Sequence, residues 1–175
     1  MDASTHEDAN AAEAQAVPVD GPAGGLTTPV GSWGIAITVP PSARSQHEAH
    51  ADRHNVYLSD GVSVTLNRIN VPAPASREEA ARAWDEGKDS RKLGEGVTKD
   101  GVFYGIRTFK VRVGVPSMPG QHLHTWKQVS RVYAVIALDQ ASHVRCTGYV
   151  EHGVATADHP DILATRAICL SMRKH

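Results

Sequence analysis

Two cysteines, Cys146 and Cys169, are the only ones in a chain of 175 residues, and each falls in a segment patterned as buried regular structure. Cys146 lies in the strand-like run His143 to Glu151, and Cys169 in the helix-like run Asp161 to Lys174. If these two elements pack together, their thiols can form one bridge that locks the last helix onto a sheet, which requires an oxidising compartment. The alternative is a pair of buried free thiols behaving as small apolar side chains. No C-x-x-C motif accompanies them, so the sequence gives no sign of thiol redox catalysis.

Around the cysteines the chain reads as alternating strands with a helix at two points. Trp33, Ile35, Ile37 and Val39 alternate with small residues until Pro40 and Pro41 stop the run, which is a strand ending in a breaker. Val56 to Leu58 and Val62 to Ile69 form a predicted hairpin around Asp60-Gly61. Ser76 followed by Glu79 makes a capping box for a helix running to about Lys92, anchored by Trp84. Strands are then expected over Gly94 to Lys99, Val102 to Val113, Leu123 to Leu138 and His143 to Glu151, followed by a closing helix opened by Pro160. The order strand, hairpin, helix, meander, helix predicts one α+β domain, an antiparallel β-sheet flanked by helices, over residues 30–175. Residues 1–29 are expected to be a disordered leader or tether, since the stretch to Leu26 is rich in Ala, Asp, Glu, Gly and Pro without periodicity.

Charge excludes some partners. Acidic and basic residues balance at 19 against 18, so no broad basic field marks a nucleic-acid binder. No run approaches the ~20 apolar residues of a membrane span. Met1 to Gln15 has neither the basic start nor the apolar segment of a signal peptide. With the cysteine reading, this leads to the expectation of a periplasmic, envelope-attached or secreted protein whose export segment lies outside this sequence, with membrane attachment through an N-terminal lipid, Met1 then standing where a lipidated cysteine was, as one alternative.

The segments Gly31-Ser32-Trp33-Gly34-Ile35-Ala36-Ile37-Thr38-Val39-Pro40 and Ile168-Cys169-Leu170-Ser171-Met172-Arg173 resemble the opening strand and the closing helix end of Mog1/PsbP-like and DcrB-like domains. The resemblance spans about Val30 to Arg173. It implies a non-enzymatic binding or assembly module with a protein partner or small ligand, in monomeric or small oligomeric form. It transfers no catalytic residues.

Two clusters carry chemistry of their own. His47, His50 and His54 lie within eight residues of one another, with Glu48 and Asp52 between them. On a helix the three imidazoles share a face and could hold zinc or copper, with His122 or His124 as a further ligand; on a strand, His50, Asp52 and His54 share one instead. The bland alternative is a solvated polar loop. The resulting second functional reading is a metal-binding accessory protein. Arg107, Lys110, Arg112, Lys127 and Arg131, interleaved with Phe109, Trp126 and Tyr133, form a candidate recognition face on two neighbouring strands. Strand alternation divides it, placing Arg107 and Phe109 opposite Thr108, Lys110 and Arg112. No Gly-x-Ser-x-Gly elbow or P-loop occurs, and neither Ser130 nor Ser142 sits in a nucleophile turn, so no enzyme is expected.

Overall fold

The computed structural model describes residues 21–84, 90–115, 123–151 and 156–175. Its centre is a seven-stranded antiparallel sheet in the order β3-β4-β5-β9-β8-β7-β6. The strands are β3 (Arg44–Glu48), β4 (Arg53–Ser59), β5 (Val62–Ile69), β6 (Arg91–Val97), β7 (Phe103–Val115), β8 (Leu123–Ala137) and β9 (His143–Val150). A smaller sheet joins β1 (Leu26–Pro29), β2 (Ile35–Val39) and β10 (Arg173–Lys174) with β2 in the middle. Among the described residues two α-helices, α1 (Arg77–Ala83) and α2 (Pro160–Leu170), complete the domain.

The predicted hairpin turns form as their chemistry requires. Gly61 and Gly101 take φ of 74° and 77°, the left-handed conformation that a residue without Cβ adopts at little cost. Ser76 caps α1 by accepting the Glu79 amide at 3.2 Å, and Glu79 accepts the Ala75 amide at 2.8 Å.

Because cross-strand partners project to the same side, the register fixes two faces. The inner face carries Val56, Val64, Leu66, Ile106, Val132, Ala134, Ile136, Val144 and Cys146, and buries them with Ile35, Ile37, Ile162, Ile168, Cys169 and Met172. Helix α2 lies over this face, against β5, β8 and β9. The Cys146–Cys169 disulfide joins it to the sheet, with the Cα atoms 5.5 Å apart. On the outer face α1 sets Ala80 and Trp84 against Tyr133, Val135 and Phe103, a separate small core.

Four sequence expectations need correction. Leu26–Pro29 is paired with β2 and therefore belongs to the domain, not to a leader ending at 29; residues 1–20 lie outside the described residues. Arg44–Glu48 is a strand, not a loop. Helix α1 ends at Ala83 instead of continuing to Lys92, since Arg91 and Lys92 already pair in β6; the expected stretch at 85–89 lies outside the described residues. Helix α2 ends at Leu170, and Arg173 and Lys174 turn back to pair with β2.

Gly148 sets how closely α2 approaches. A Cβ there would lie 2.6 Å from the Thr165 Cβ and 3.3 Å from the Val132 Cβ. Gly148→Ala is expected to destabilise the domain by about 1–3 kcal/mol through overpacking, read as a lowered urea midpoint with unchanged slope.

Candidate functional site

The candidate recognition face resolves into two unlike halves. On the outer side, Arg107 donates to Glu95 at 3.2 Å, Lys127 pairs with Glu151, and Arg131 lies 4.8 Å from the Phe109 ring centroid. Burial works to raise the Glu95 pKa, but hydrogen bonds from Lys92 and Arg107 outweigh it and hold the carboxylate below its ordinary value. A concavity of about 350 Å³ beside α1 is lined by Arg82, Lys92, Glu95 and Arg107; its carboxylate is already held by two of its three cations.

The other half is differently built. Arg112 pairs across the ladder with Trp126, and Lys110 with Gln128, so all four side chains project to the inner side. Trp126 is 64% exposed. Lys110 and Arg112 are exposed and have no carboxylate partner among the described residues. With Arg91, Thr108 and Phe109, the residues Lys110, Trp126 and Gln128 line a cleft of about 400 Å³, and Arg112 stands beside it as the cross-strand partner of Trp126. Gln128 is positioned by its amide, which donates to Thr108 Oγ1 at 3.1 Å.

The cleft lies where the sheet narrows to two strands. Pairing between β6 and β7 ends at Arg91 with Thr108, and pairing between β9 and β8 ends at Val150 with Ser130. Thr108 and Ser130 are themselves partners, so both neighbours stop at one level. Beyond it, residues 109–115 and 123–129 pair with each other and, among the described residues, with no further strand.

The histidine cluster takes a third geometry. His47 on β3 and His54 on β4 are direct cross-strand partners, with ring centroids 5.8 Å apart. His50 lies in the exposed 3-10 turn Ala49–Ala51 between the strands. The expected sharing of a face by all three on a helix, or by His50, Asp52 and His54 on a strand, is therefore not what forms. No group of three or more metal-ligating side chains occurs among the described residues. His122 lies outside them, and His124 is on β8.

His54 is 4% exposed, and neither ring nitrogen has a hydrogen-bond partner among the described residues. His47 stands between it and the indole of Trp33, 5.6 Å away, over Gly31, where a Cβ would meet the His47 ring at 2.5 Å. Burial, reinforced by the neighbouring His47, lowers the His54 pKa below 6.5. The unfolded chain then takes up this proton at higher pH than the folded one. The His54 contribution is harmless above about pH 6.5 and becomes destabilising as pH falls below it. His54→Leu is expected to reduce the fall in melting temperature between pH 7.5 and pH 5.5, and to raise stability at neutral pH by on the order of 1 kcal/mol by removing an unpaired buried polar group.

Among the serines weighed above, Ser142 donates its hydroxyl to Asp139 at 2.9 Å, and the adjacent His143 turns Nδ1 to the Val71 carbonyl at 2.9 Å. Ser130 is buried on the inner face beside Thr108.

No protein-family profile matches the chain, and no curated protein does. Among solved structures it is similar to a mutant of protein Mog1, with 14% identity and a TM-score of 0.53, over 86% of this chain and 95% of that one. A protein from Bacteroides thetaiotaomicron aligns with 8% identity and a TM-score of 0.44, over 81% of this chain and 45% of that one. The protein is an α+β domain with the Mog1/PsbP-like fold.

Proposed function

We propose that the protein is a non-enzymatic, exported binding or assembly module of the envelope or periplasm that holds its partner in the cleft on the β7–β8 arm. The observation that carries this reading is Trp126, exposed to water and flanked by cations. A large indole left in solvent loses the burial that stabilises the other tryptophans, and Trp and Arg are the side chains that most often anchor interfaces. The disulfide supports the compartment, because such bonds persist outside reducing cytosol. The module works as a monomer or small oligomer without turnover.

The test is photo-crosslinking in the native envelope from a reactive residue at position 128, with position 57 on the opposite part of the sheet as control. A discrete adduct from 128 that disappears with Arg112→Glu, and is absent from 57, is expected. No adduct from 128, or the same adduct from both positions, would contradict the reading.

A second reading, a zinc- or copper-binding accessory protein, draws on the unpaired nitrogens of His54 beside His47. Calorimetric titration with each ion decides it. Saturable one-to-one heat lost in His54→Ala favours this reading, and no heat removes it.

A further inference from the structure

We infer that the partner held at the cleft is an extended acidic peptide segment that adds as a strand to the edge of β7 that no strand covers among the described residues, in line with β6; this rests on the binding role proposed above. Three observations converge on it.

The first is the edge. Strand β7 continues past Arg91, the first residue of β6, for seven residues, Phe109 to Val115, and among the described residues no strand pairs with it on that side. Alternate backbone N–H and C=O groups of such an edge are available for another chain. A lipid headgroup surface provides no matching ladder; a peptide does.

The second is the place of the cleft. Arg91, the first residue of β6, and Lys110, the second residue of β7 beyond the pairing, both line it. It is therefore the notch left where one strand stops and its neighbour continues, and a strand entering it prolongs the existing sheet.

The third is the chemistry of the two sides. The inner side presents Lys110 and Arg112, two residues apart, with Trp126 next to Arg112. The outer side of the same stretch presents Val111 and Val113. A strand lying against this edge places alternate residues beside one set or the other. The complementary sequence carries Asp or Glu at alternate positions and apolar residues between them. The far edge of the arm suits it less, because Glu151 already lies there, paired with Lys127.

The probe is the capped peptide Glu-Val-Glu-Val-Glu-Val, titrated into the 175-residue protein at low salt while tryptophan fluorescence is followed. Trp33 and Trp84 are buried, so the change reports Trp126. Two controls leave the protein unchanged: the permuted peptide Glu-Glu-Glu-Val-Val-Val, of equal charge, and the alternating peptide N-methylated on alternate amides. Saturable binding is expected, with affinity about tenfold weaker or worse for each control. Amides of 109–115 should gain protection from hydrogen exchange, and Lys110→Glu with Arg112→Glu should lower affinity by at least about tenfold while the circular dichroism spectrum is kept. Equal affinity for the permuted or N-methylated peptide would overturn strand addition and leave unspecific charge attraction. Binding to phosphatidylglycerol vesicles without binding to the alternating peptide would overturn the peptide as occupant in favour of a lipid surface. If the peptide fails while the position-128 adduct persists, the binding role stands and this assignment of the partner falls; if both fail, the binding role falls too.

Discussion

Trp84→Ala is expected to be the most damaging single substitution in the domain, at about 3–5 kcal/mol for loss of a buried tryptophan. The indole is 3% exposed and lies parallel to the Tyr133 ring, with centroids 5.9 Å apart and planes 9° from each other. It lies over Gly105, where a Cβ would come within 2.6 Å of it, so β7 keeps a bare backbone position to receive it. Helix α1 has seven residues, too few to persist in water on its own, and its small core is separate from the main one. The loss therefore saturates at the docking energy of α1 if that is smaller. The check is chemical denaturation together with hydrogen exchange. Either the global midpoint falls by the stated amount, or the amides of Ala80 to Trp84 exchange rapidly while the sheet stays protected. A variant with both unchanged would refute this account of the outer face.

Replacing both cysteines with alanine is expected to lower stability by about 3 kcal/mol, the chain-entropy value for a crosslink of this span. The two residues are 23 apart in sequence and fully buried. Alanine leaves no unpaired polar atom in their place, so the measured change reports the covalent link and the lost sulfur packing. In a domain of this length that corresponds to a melting temperature lower by roughly 6–12 °C. An unchanged melting temperature would show that apolar packing alone holds α2 in place. Helix α2 packs on the inner face at Cys146 and Gly148, and a loosened helix exposes the apolar sheet beneath it.

Legibility in the sequence followed the strength of the local signal. Cys146 alternates with apolar residues on β9, and Cys169 lies on the apolar stripe of α2, so period alone marked both as buried, and their pairing followed only if the two elements pack together. Asp60-Gly61 and Asp100-Gly101 announced their turns because few other residues tolerate positive φ. Strand β3 was missed because Arg44, Ser45, Gln46 and His47 are all exposed, and a strand at a sheet edge with little to bury shows no alternation. Strand β1 escaped notice for the same reason. Its four residues carry two threonines and a proline, and it is held by pairing with β2. The end of α1 was misplaced because apolar spacing stops at Trp84, leaving only propensity to set the boundary.

At the site, alternation correctly separated Arg107 and Phe109 from Lys110 and Arg112. It reduced five scattered cations to a smaller, coherent group around Trp126. That β6 and β9 both stop at the level of Thr108 and Ser130 was not legible, because this depends on register between strands far apart in sequence. The same dependence hid the pairing of His47 with His54. Spacing of three and four residues points to a helix, whereas a tight turn between two strands opposes the first histidine to the last and leaves His50 at the bend.

The measurement closest to the heart of this account is the redox state of Cys146 and Cys169 in the cells that make the protein. Free thiols are alkylated in intact cells, and the mass of the isolated protein is taken before and after reduction. The account predicts no label before reduction, two labels after it, and recovery of the protein from an extracytoplasmic fraction. Two labels before reduction, on protein recovered from the cytosol, would contradict both the closed fold in its working state and the export on which the proposed role depends.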